Sequence, residues 1–244
     1  MNPLLKLVPF ACMASLASAR EMSPDRPDTT ESPYTVDPGT FQVESTLWGF
    51  LREGSVTTWS IAESNLKTGL TENSDLQFVL NPWVKEEGGA EGFGDATVRL
   101  KYNLWGNDGG KTAGALMPFV TIPSQTAVST EEWEGGLIFP VSIDLCEGVG
   151  FGFQTELDRV WNTEDSAYDW DFVHTAVIDF EITEKVGLFL EYVGVAGDHP
   201  YEATANTGIT YATSKNVQWD VALGLGLTDA ADDFSLIQGV SFRF

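Results

Sequence analysis

The sequence has few of the side chains on which most enzymes and metal proteins depend. Only two cysteines (Cys12 and Cys146) and two histidines (His174 and His199) occur in 244 residues. Cys12 lies in a leader segment described below, so the processed chain would hold one thiol and no internal disulfide. No G-x-S-x-G motif or EF-hand-like loop occurs, and neither histidine has a serine and an orienting acid placed to form a triad. The sequence therefore predicts no catalytic residue, no metal site and no cofactor.

Basic side chains and long apolar runs are also scarce. The chain has 13 Lys and Arg against 36 Asp and Glu, which gives a formal net charge of −23. This balance repels nucleic acid, so nucleic-acid partners are excluded. Beyond the N-terminus no run of about 18 apolar residues exists, which excludes helical membrane spans. Membrane-spanning β-strands are not excluded, because the hydropathy signal of each strand is much weaker than that of a membrane-spanning helix.

The first 19 residues have the three parts of a secretory signal peptide. A short basic start at residues 1–6 precedes an apolar core at residues 7–16 and the small-residue cleavage site Ala17-Ser18-Ala19. We therefore expect the mature chain to begin at Arg20. Residues 20–39 follow as an extended segment, because three prolines (Pro27, Pro33 and Pro38) forbid a helix. This segment is predicted to be a periplasmic tail or an insert in the lumen of the domain that follows.

Residues 40–244 consist of segments of about ten residues in which apolar and polar side chains alternate. Twelve such segments are separated by turn residues, at 40–50, 56–70, 74–84, 93–106, 111–123, 135–146, 148–161, 167–181, 185–196, 203–212, 216–227 and 234–244. Short connections alternate with mostly longer, acidic or glycine-rich ones. The pattern predicts an all-β fold, a transmembrane antiparallel up-and-down β-barrel of about twelve strands with both termini in the periplasm. The second segment changes phase between Trp59 and Leu66, as a β-bulge would cause.

The aromatic residues agree with a barrel in the bacterial outer membrane. Four tryptophans fall near the ends of predicted strands, where the lipid interface favours their rings (Trp83, Trp105, Trp161 and Trp170). The terminal Phe244 resembles the signal by which such proteins are handed to the barrel-insertion machinery. The expected surroundings are therefore outer-membrane lipid, and lipopolysaccharide at the acidic loops.

The face of each strand opposite the apolar one carries many charged side chains. The residues predicted to line the lumen are Glu44, Asp95, Arg99, Lys101, Asp144, Glu156, Asp171, Glu191, Asp220 and Arg243, together with Asp158, Asp169, Asp179 and Glu181. Inside a narrow barrel such charges must be paired or wet. Two interpretations stay open: the charges line a solute pathway, or they form a salt-bridge network that closes the barrel.

Two sequence blocks and the closing segment resemble a known family. The first block contains Asp25-Arg-Pro-Asp28, Ser32-Pro-Tyr-Thr-Val36, Pro38-Gly39, Phe41-Gln42 and Glu44; the second contains Gly94-Asp95, Arg99, Lys101-Tyr-Asn103 and Trp105 to Gly110; the closing segment is Gly239-Val-Ser-Phe242. Together they resemble the outer-membrane family labelled "putative MetA-pathway of phenol degradation". The resemblance implies an outer-membrane β-barrel of a kind commonly described as a transporter. It supplies no catalytic residue, and the phenol in the label is not a substrate assignment.

The sequence thus predicts a non-catalytic outer-membrane channel or transporter for a small solute. The alternative is a closed structural or adhesive barrel that acts through its acidic extracellular loops. Charged or small inward residues favour a polar or cationic solute over a hydrophobic one. If the tail folds into the lumen, Glu44, Asp95, Arg99 and Lys101 are expected near its Arg26 and Asp28.

Overall fold

In the computed structural model of the protein the described residues are 20–244, so the predicted signal peptide and Cys12 lie outside the described residues. The described chain contains fourteen β-strands: β1 (Phe41–Glu53), β2 (Val56–Thr71), β3 (Ser74–Leu80), β4 (Trp83–Glu86), β5 (Glu91–Gly92), β6 (Ala96–Trp105), β7 (Thr112–Ile122), β8 (Glu134–Cys146), β9 (Val149–Asn162), β10 (Ala167–Thr183), β11 (Val186–Ala196), β12 (Glu202–Ser214), β13 (Val217–Gly226) and β14 (Phe234–Arg243). Among residues 20–244, no helix is long and apolar enough to cross a membrane.

The strands form one closed antiparallel sheet. β1 pairs with β2 on one side and with β14 on the other, and the strands from β6 to β14 each pair with the next. β3 and β4 pair with successive parts of β2, and the two-residue β5 pairs with β4. Counting β3 with β4, and β5 with β6, the wall has twelve strands. The predicted fold class and strand number are confirmed.

The barrel has two different ends. Short turns after β2, β6, β8, β10 and β12 lie at the same end as Phe41 and Phe244, whose backbone groups bond each other at 2.9 and 3.0 Å. We call this the turn end. The longer connections, including residues 123–133 and 227–233, lie at the opposite end, which we call the loop end. That the turn end faces the periplasm stays a prediction.

The phase change expected in the second strand occurs at a paired irregularity. Ala62 has a φ of +59°, and the register of β1 against β14 shifts between Thr46 and Trp48. Thr46 lies opposite Glu63 and Trp48 opposite Ile61, so one residue in each strand is skipped. Both strands therefore reverse their inward and outward faces at the same level of the barrel.

Residues 85–92 differ from the expected loop. They form most of a hairpin in which Glu86 N–H donates to the Ala90 carbonyl at 2.9 Å and Lys85 pairs with Glu91 at 2.8 Å. The acidic and glycine-rich composition masked this pairing, because a two-residue strand is too short to show alternation.

Burial follows the inside-out pattern of a membrane barrel. Outward side chains such as Leu100 and Ile209 are 41 % and 54 % exposed, whereas the inward Gln77 and Lys101 are 0 % and 1 % exposed. Polar residues inside and apolar residues outside are what a barrel embedded in lipid requires. One small apolar patch, Val177, Phe189 and Ala222 with Ile237, lies on the inner wall.

Candidate functional site

The lumen contains the chain's own residues 20–39, which we call the tail. Arg20 lies at the turn end, where its guanidinium donates to the carbonyls of Glu72 and Asn107 at 3.3 and 3.2 Å. The same side chain pairs with Asp37 at 2.5 Å, near the other end of the tail. The tail therefore enters the lumen and returns to the turn end, with residues 25–31 in the interior.

One buried ion cluster anchors the tail at Asp25. Its carboxylate accepts from Lys101 Nζ at 2.6 Å and pairs with Lys67, which also pairs with Glu44. The Asp25 N–H donates to Glu44 Oε2 at 3.0 Å. All four side chains are at most 8 % exposed. Since two cations face two carboxylates, the cluster is neutral and each buried charge is compensated.

Two further ion pairs join the tail to the wall. Arg26 donates to both oxygens of Asp220, at 2.9 Å from Nε and 2.7 Å from Nη2, and its Nη1 donates to Thr46 Oγ1 at 2.6 Å. Arg99 Nη1 donates to Glu31 Oε1 at 2.5 Å. The Arg26 pair has the bidentate geometry that makes guanidinium–carboxylate contacts both strong and specific.

Wall side chains also satisfy the tail's backbone, which has no strand partner along most of its length. Glu191 accepts from Thr29 N–H at 3.0 Å and from Thr30 N–H and Oγ1, each at 2.7 Å. Asp75 Oδ2 accepts from Val36 N–H at 3.0 Å. Buried amide groups left without such partners would be costly. The wall therefore bonds the backbone of the tail as well as its charged side chains.

The structure places the ten predicted lumen residues in three settings. Glu44, Arg99, Lys101, Glu191, Asp220 and Arg243 contact the tail, the last through Nη1 to the Arg20 carbonyl at 2.7 Å. Glu156 accepts from its neighbour Gln154 at 2.8 Å, and Asp144 is exposed at the turn end. Asp95 and Asp171 contact loops at the loop end. Whether these residues line a solute path stays a prediction.

Three of the four wall residues expected near the tail contact it, but with different partners from those expected. Glu44 and Lys101 bond Asp25, and Arg99 bonds Glu31, whereas Arg26 bonds Asp220. Asp95 bonds no tail residue in the described chain. Its partners belong to residues 123–133.

Asp95 fastens that loop beside the break between β5 and β6. Its carboxylate accepts from Ser124 N–H at 2.8 Å and from Thr130 N–H and Oγ1, each at 2.8 Å. Burial alone would raise the pKa of Asp95, but these hydrogen bonds outweigh it and lower the pKa below its usual value. The carboxylate is therefore ionised at neutral pH and holds the loop.

His199 makes a similar contact at the loop end. Its Nε2 lies 3.2 Å from Asp171 Oδ1, and its Nδ1 lies 2.9 Å from the Pro200 carbonyl and 3.5 Å from Glu202. The Pro200 carbonyl and the two carboxylates raise the pKa of His199. Protonation therefore strengthens the attachment of residues 197–201 to the inner face of β10.

Cavities follow the tail through the lumen. One of about 730 Å³ opens at the turn end among Asp144, Glu147 and Glu181. A second of about 260 Å³ lies between the tail and β8, β9 and β10. It shares Asp144 and Asp179 with the first cavity, and it shares Asp28 and Glu31 with a third of about 290 Å³ on the far side of the tail.

Sequence reasoning missed Lys67 and the tail residue Asp25 as lumen residues. Lys67 lies on the second strand, where the reversal at Ala62 obscures which face is inward. The sequence signal of this reversal is the phase change between Trp59 and Leu66, which does not give the position of the break. Within residues 20–244, no group of three or more His, Cys, Asp or Glu is arranged to hold a metal ion.

The closed wall, the apolar outer face and the charged, partly filled lumen define an outer-membrane β-barrel. Residues 24–244 match the family described as "Putative MetA-pathway of phenol degradation", and the chain belongs to this family. The resemblance noted in the sequence is thereby confirmed. No curated protein matches the chain.

Solved structures share the fold at low sequence identity. The COG4313 outer membrane channel from Pseudomonas putida F1 is 14 % identical with a TM-score of 0.63, over 91 % of this chain and 100 % of that one. NanC porin is 11 % identical with a TM-score of 0.61, over 84 % and 100 %. KdgM porin is 10 % identical with a TM-score of 0.58, over 83 % and 99 %. The predicted outer-membrane location is confirmed at the level of this fold.

Proposed function

We propose that the protein is a non-catalytic outer-membrane channel that passes small polar solutes and prefers cations. The observation that carries this proposal is the series of three cavities beside the tail, each of which shares lining residues with the next. Solute would move between the tail and the wall of β8, β9 and β10, and then past Asp28 and Glu31 into the cavity on the far side of the tail. The tail narrows the lumen without filling it.

The preference for cations rests on how the lumen's charges are paired. The basic side chains Arg26, Lys67, Arg99 and Lys101 are engaged by carboxylates, whereas Lys111 beside the first cavity and Arg243 form no salt bridge within residues 20–244. Several carboxylates beside the first cavity, Asp144, Glu147 and Glu181 among them, form no salt bridge within residues 20–244. The path is therefore negative on balance, which raises the local concentration of cations.

The names of proteins that share the fold agree with a channel. They include two porins and an outer membrane channel, and one KdgM structure is described as a complex with disordered oligogalacturonate. These solutes belong to those proteins, and the acidic path of this chain does not suit a polyanion. Phe244 as the contact for the insertion machinery, and the acidic loops as a surface towards lipopolysaccharide, complete the proposal.

A closed structural barrel is the second candidate. The ion pairs and amide contacts that hold the tail favour it, because a firmly docked tail blocks the centre of the lumen. Conduction by the complete mature chain separates the two candidates.

The experiment is a reversal-potential measurement on residues 20–244 refolded into planar bilayers under a salt gradient. We expect openings selective for cations, with selectivity reduced in Asp144→Asn/Glu181→Gln. Asp229→Asn is the matched control, since Asp229 is exposed at the loop end. Anion-selective openings would refute the charge argument. A folded barrel that never conducts would favour the closed structure.

A further inference from the structure

The middle cavity has features of a binding site rather than of a plain passage. It is bounded by the tail on one side and by β8, β9 and β10 on the other. Its volume of about 260 Å³ would hold about nine water molecules at ~30 Å³ each. A solute of roughly that number of non-hydrogen atoms therefore fits.

Two inward glycines of β9 create the space. A Cβ on Gly152 would come within 2.8 Å of Val177 Cγ1 and 3.3 Å of Thr30 Cγ2. Among the described residues, a Cβ on Gly150 would meet Asp179 alone, at 3.5 Å or more. Position 150 is therefore open towards the cavity, and a larger side chain there would occupy the volume without striking the backbone.

The chemistry of the lining is one-sided. Among residues 20–244, four acidic residues (Asp28, Glu31, Asp144 and Asp179) and no basic residue line the cavity. Asp28 and Asp179 form no salt bridge within residues 20–244, and Asp28 belongs to the tail while Asp179 belongs to β10. A cation between them would contact both the tail and the wall.

One buried carboxylate oxygen in the lining, Glu31 Oε2, accepts no hydrogen bond from the described residues. Glu31 uses Oε1 to bond Arg99, but its Oε2 is buried and has no hydrogen-bond partner within the described residues. Burying a polar atom in this state is costly. An ammonium group carries three N–H donors and no acceptor, so it can serve several carboxylates at once.

The rest of the lining suits a short apolar body attached to the charge. Pro24 and Tyr34 are partly exposed and line the cavity, beside the buried Val177. The hydroxyl groups of Tyr34 and Ser142, 3.4 Å apart, lie at the same wall. A hydrated inorganic ion would leave these apolar surfaces unused.

We propose that this cavity is a binding site for a small primary alkylammonium ion, with its charged group at Asp28, Asp179 and Glu31 and its alkyl chain against Pro24 and the ring of Tyr34. The proposal deepens the channel function and rests on it, because the site lies on the proposed solute path. An amine bound at this site would be a transported solute that is held temporarily between the tail and the wall.

Isothermal titration calorimetry with n-butylammonium chloride tests the site in residues 20–244 refolded in detergent micelles. We expect saturable binding of one equivalent, with n-butanol and butyrate giving none. Because hydrogen bonds to charged groups are worth a tenfold factor or more, Asp28→Asn and Asp179→Asn should each weaken binding roughly ten- to hundredfold. Gly150→Val, which changes no charge, should abolish it. Asp229→Asn should bind like the parent chain.

Absence of saturable binding to the parent chain would refute the proposed site. Binding by the Asp28 and Asp179 variants with the affinity of the parent chain would also refute it. Heat-modifiable gel mobility of each variant checks that its barrel is folded. Parallel bilayer recordings separate this proposal from the channel function. If the protein conducts but does not bind the amine, the proposed binding site is refuted and the proposed channel function is not. If a folded barrel binds the amine but does not conduct, the channel function is refuted and the binding site is not.

Discussion

The ion pair between Arg26 and Asp220 offers a direct test of how the tail is held. The two side chains are 12 % and 0 % exposed, and the guanidinium bonds both carboxylate oxygens. Arg26→Met keeps the length of the side chain but leaves Asp220 buried without its cation. Breaking a buried pair in this way costs about 3 kcal/mol or more. At ~1.4 kcal/mol per factor of ten, the ratio of docked to undocked tail should fall by about 150-fold.

Amide hydrogen exchange of the refolded barrel measures this change where it occurs. The N–H groups of Thr29, Thr30 and Val36 donate to wall carboxylates, so they exchange only when the tail leaves the wall. We expect these amides to exchange about 150-fold faster in Arg26→Met, with strand amides of β10 unchanged. Exchange of the strand amides is the internal control for global unfolding.

The double variant Arg26→Met/Asp220→Asn completes a thermodynamic cycle. Removing the orphaned charge should restore most of the lost protection, because the penalty arises mainly from the unpaired carboxylate. Unchanged tail exchange in Arg26→Met would refute the reasoning. A double variant that exchanges as fast as the single one would show that the pair is not the element that holds the tail.

Three further predictions concern the exit of the tail and the two loop contacts. Gly69→Ala should displace the tail and raise conductance, because its Cβ would lie 2.1 Å from the Asp37 carbonyl oxygen. Asp95→Ala should speed proteolysis within residues 123–133, because the carboxylate that bonds this loop is removed. The pKa of Asp95 is lowered, so acidifying the parent chain through that pKa should also speed proteolysis of this loop. The pKa of His199 is raised, so its contact with Asp171 should be complete below pH ~6.5, which is the ordinary pKa of histidine. The contact should be lost as the pH rises through the raised pKa of His199. Exchange of residues 197–201 should therefore speed up with pH beyond the intrinsic rate, and His199→Gln should remove this excess.

The wall of the barrel was predictable because each strand carries its own signal. In β6 the alternation from Ala96 to Leu104 gives both faces, and the structure has Lys101 buried and Leu100 exposed as that alternation requires. Where the alternation breaks, the prediction ends. The reversal at Ala62 concealed Lys67, and the alternation of β6 carries no information about Asp95, because the strand begins after it.

The packing of the tail was much less predictable. The prolines and acids of residues 20–39 indicate an extended segment, but they do not select its partners. Arg26 bonds Asp220, a residue 194 positions away in the chain, and a charged lumen offers many alternative carboxylates. Only the three-dimensional arrangement shows that Asp25 and Glu31 pair with basic residues of the wall while Asp28 forms no salt bridge within residues 20–244.

The most direct measurement of the central claim is the single-channel conductance of residues 40–244 beside that of residues 20–244. The account holds that the tail is what narrows an otherwise continuous lumen. It predicts small, cation-selective openings for residues 20–244 and a clearly larger unit conductance once the tail is removed. Equal conductance of two demonstrably folded barrels would contradict it.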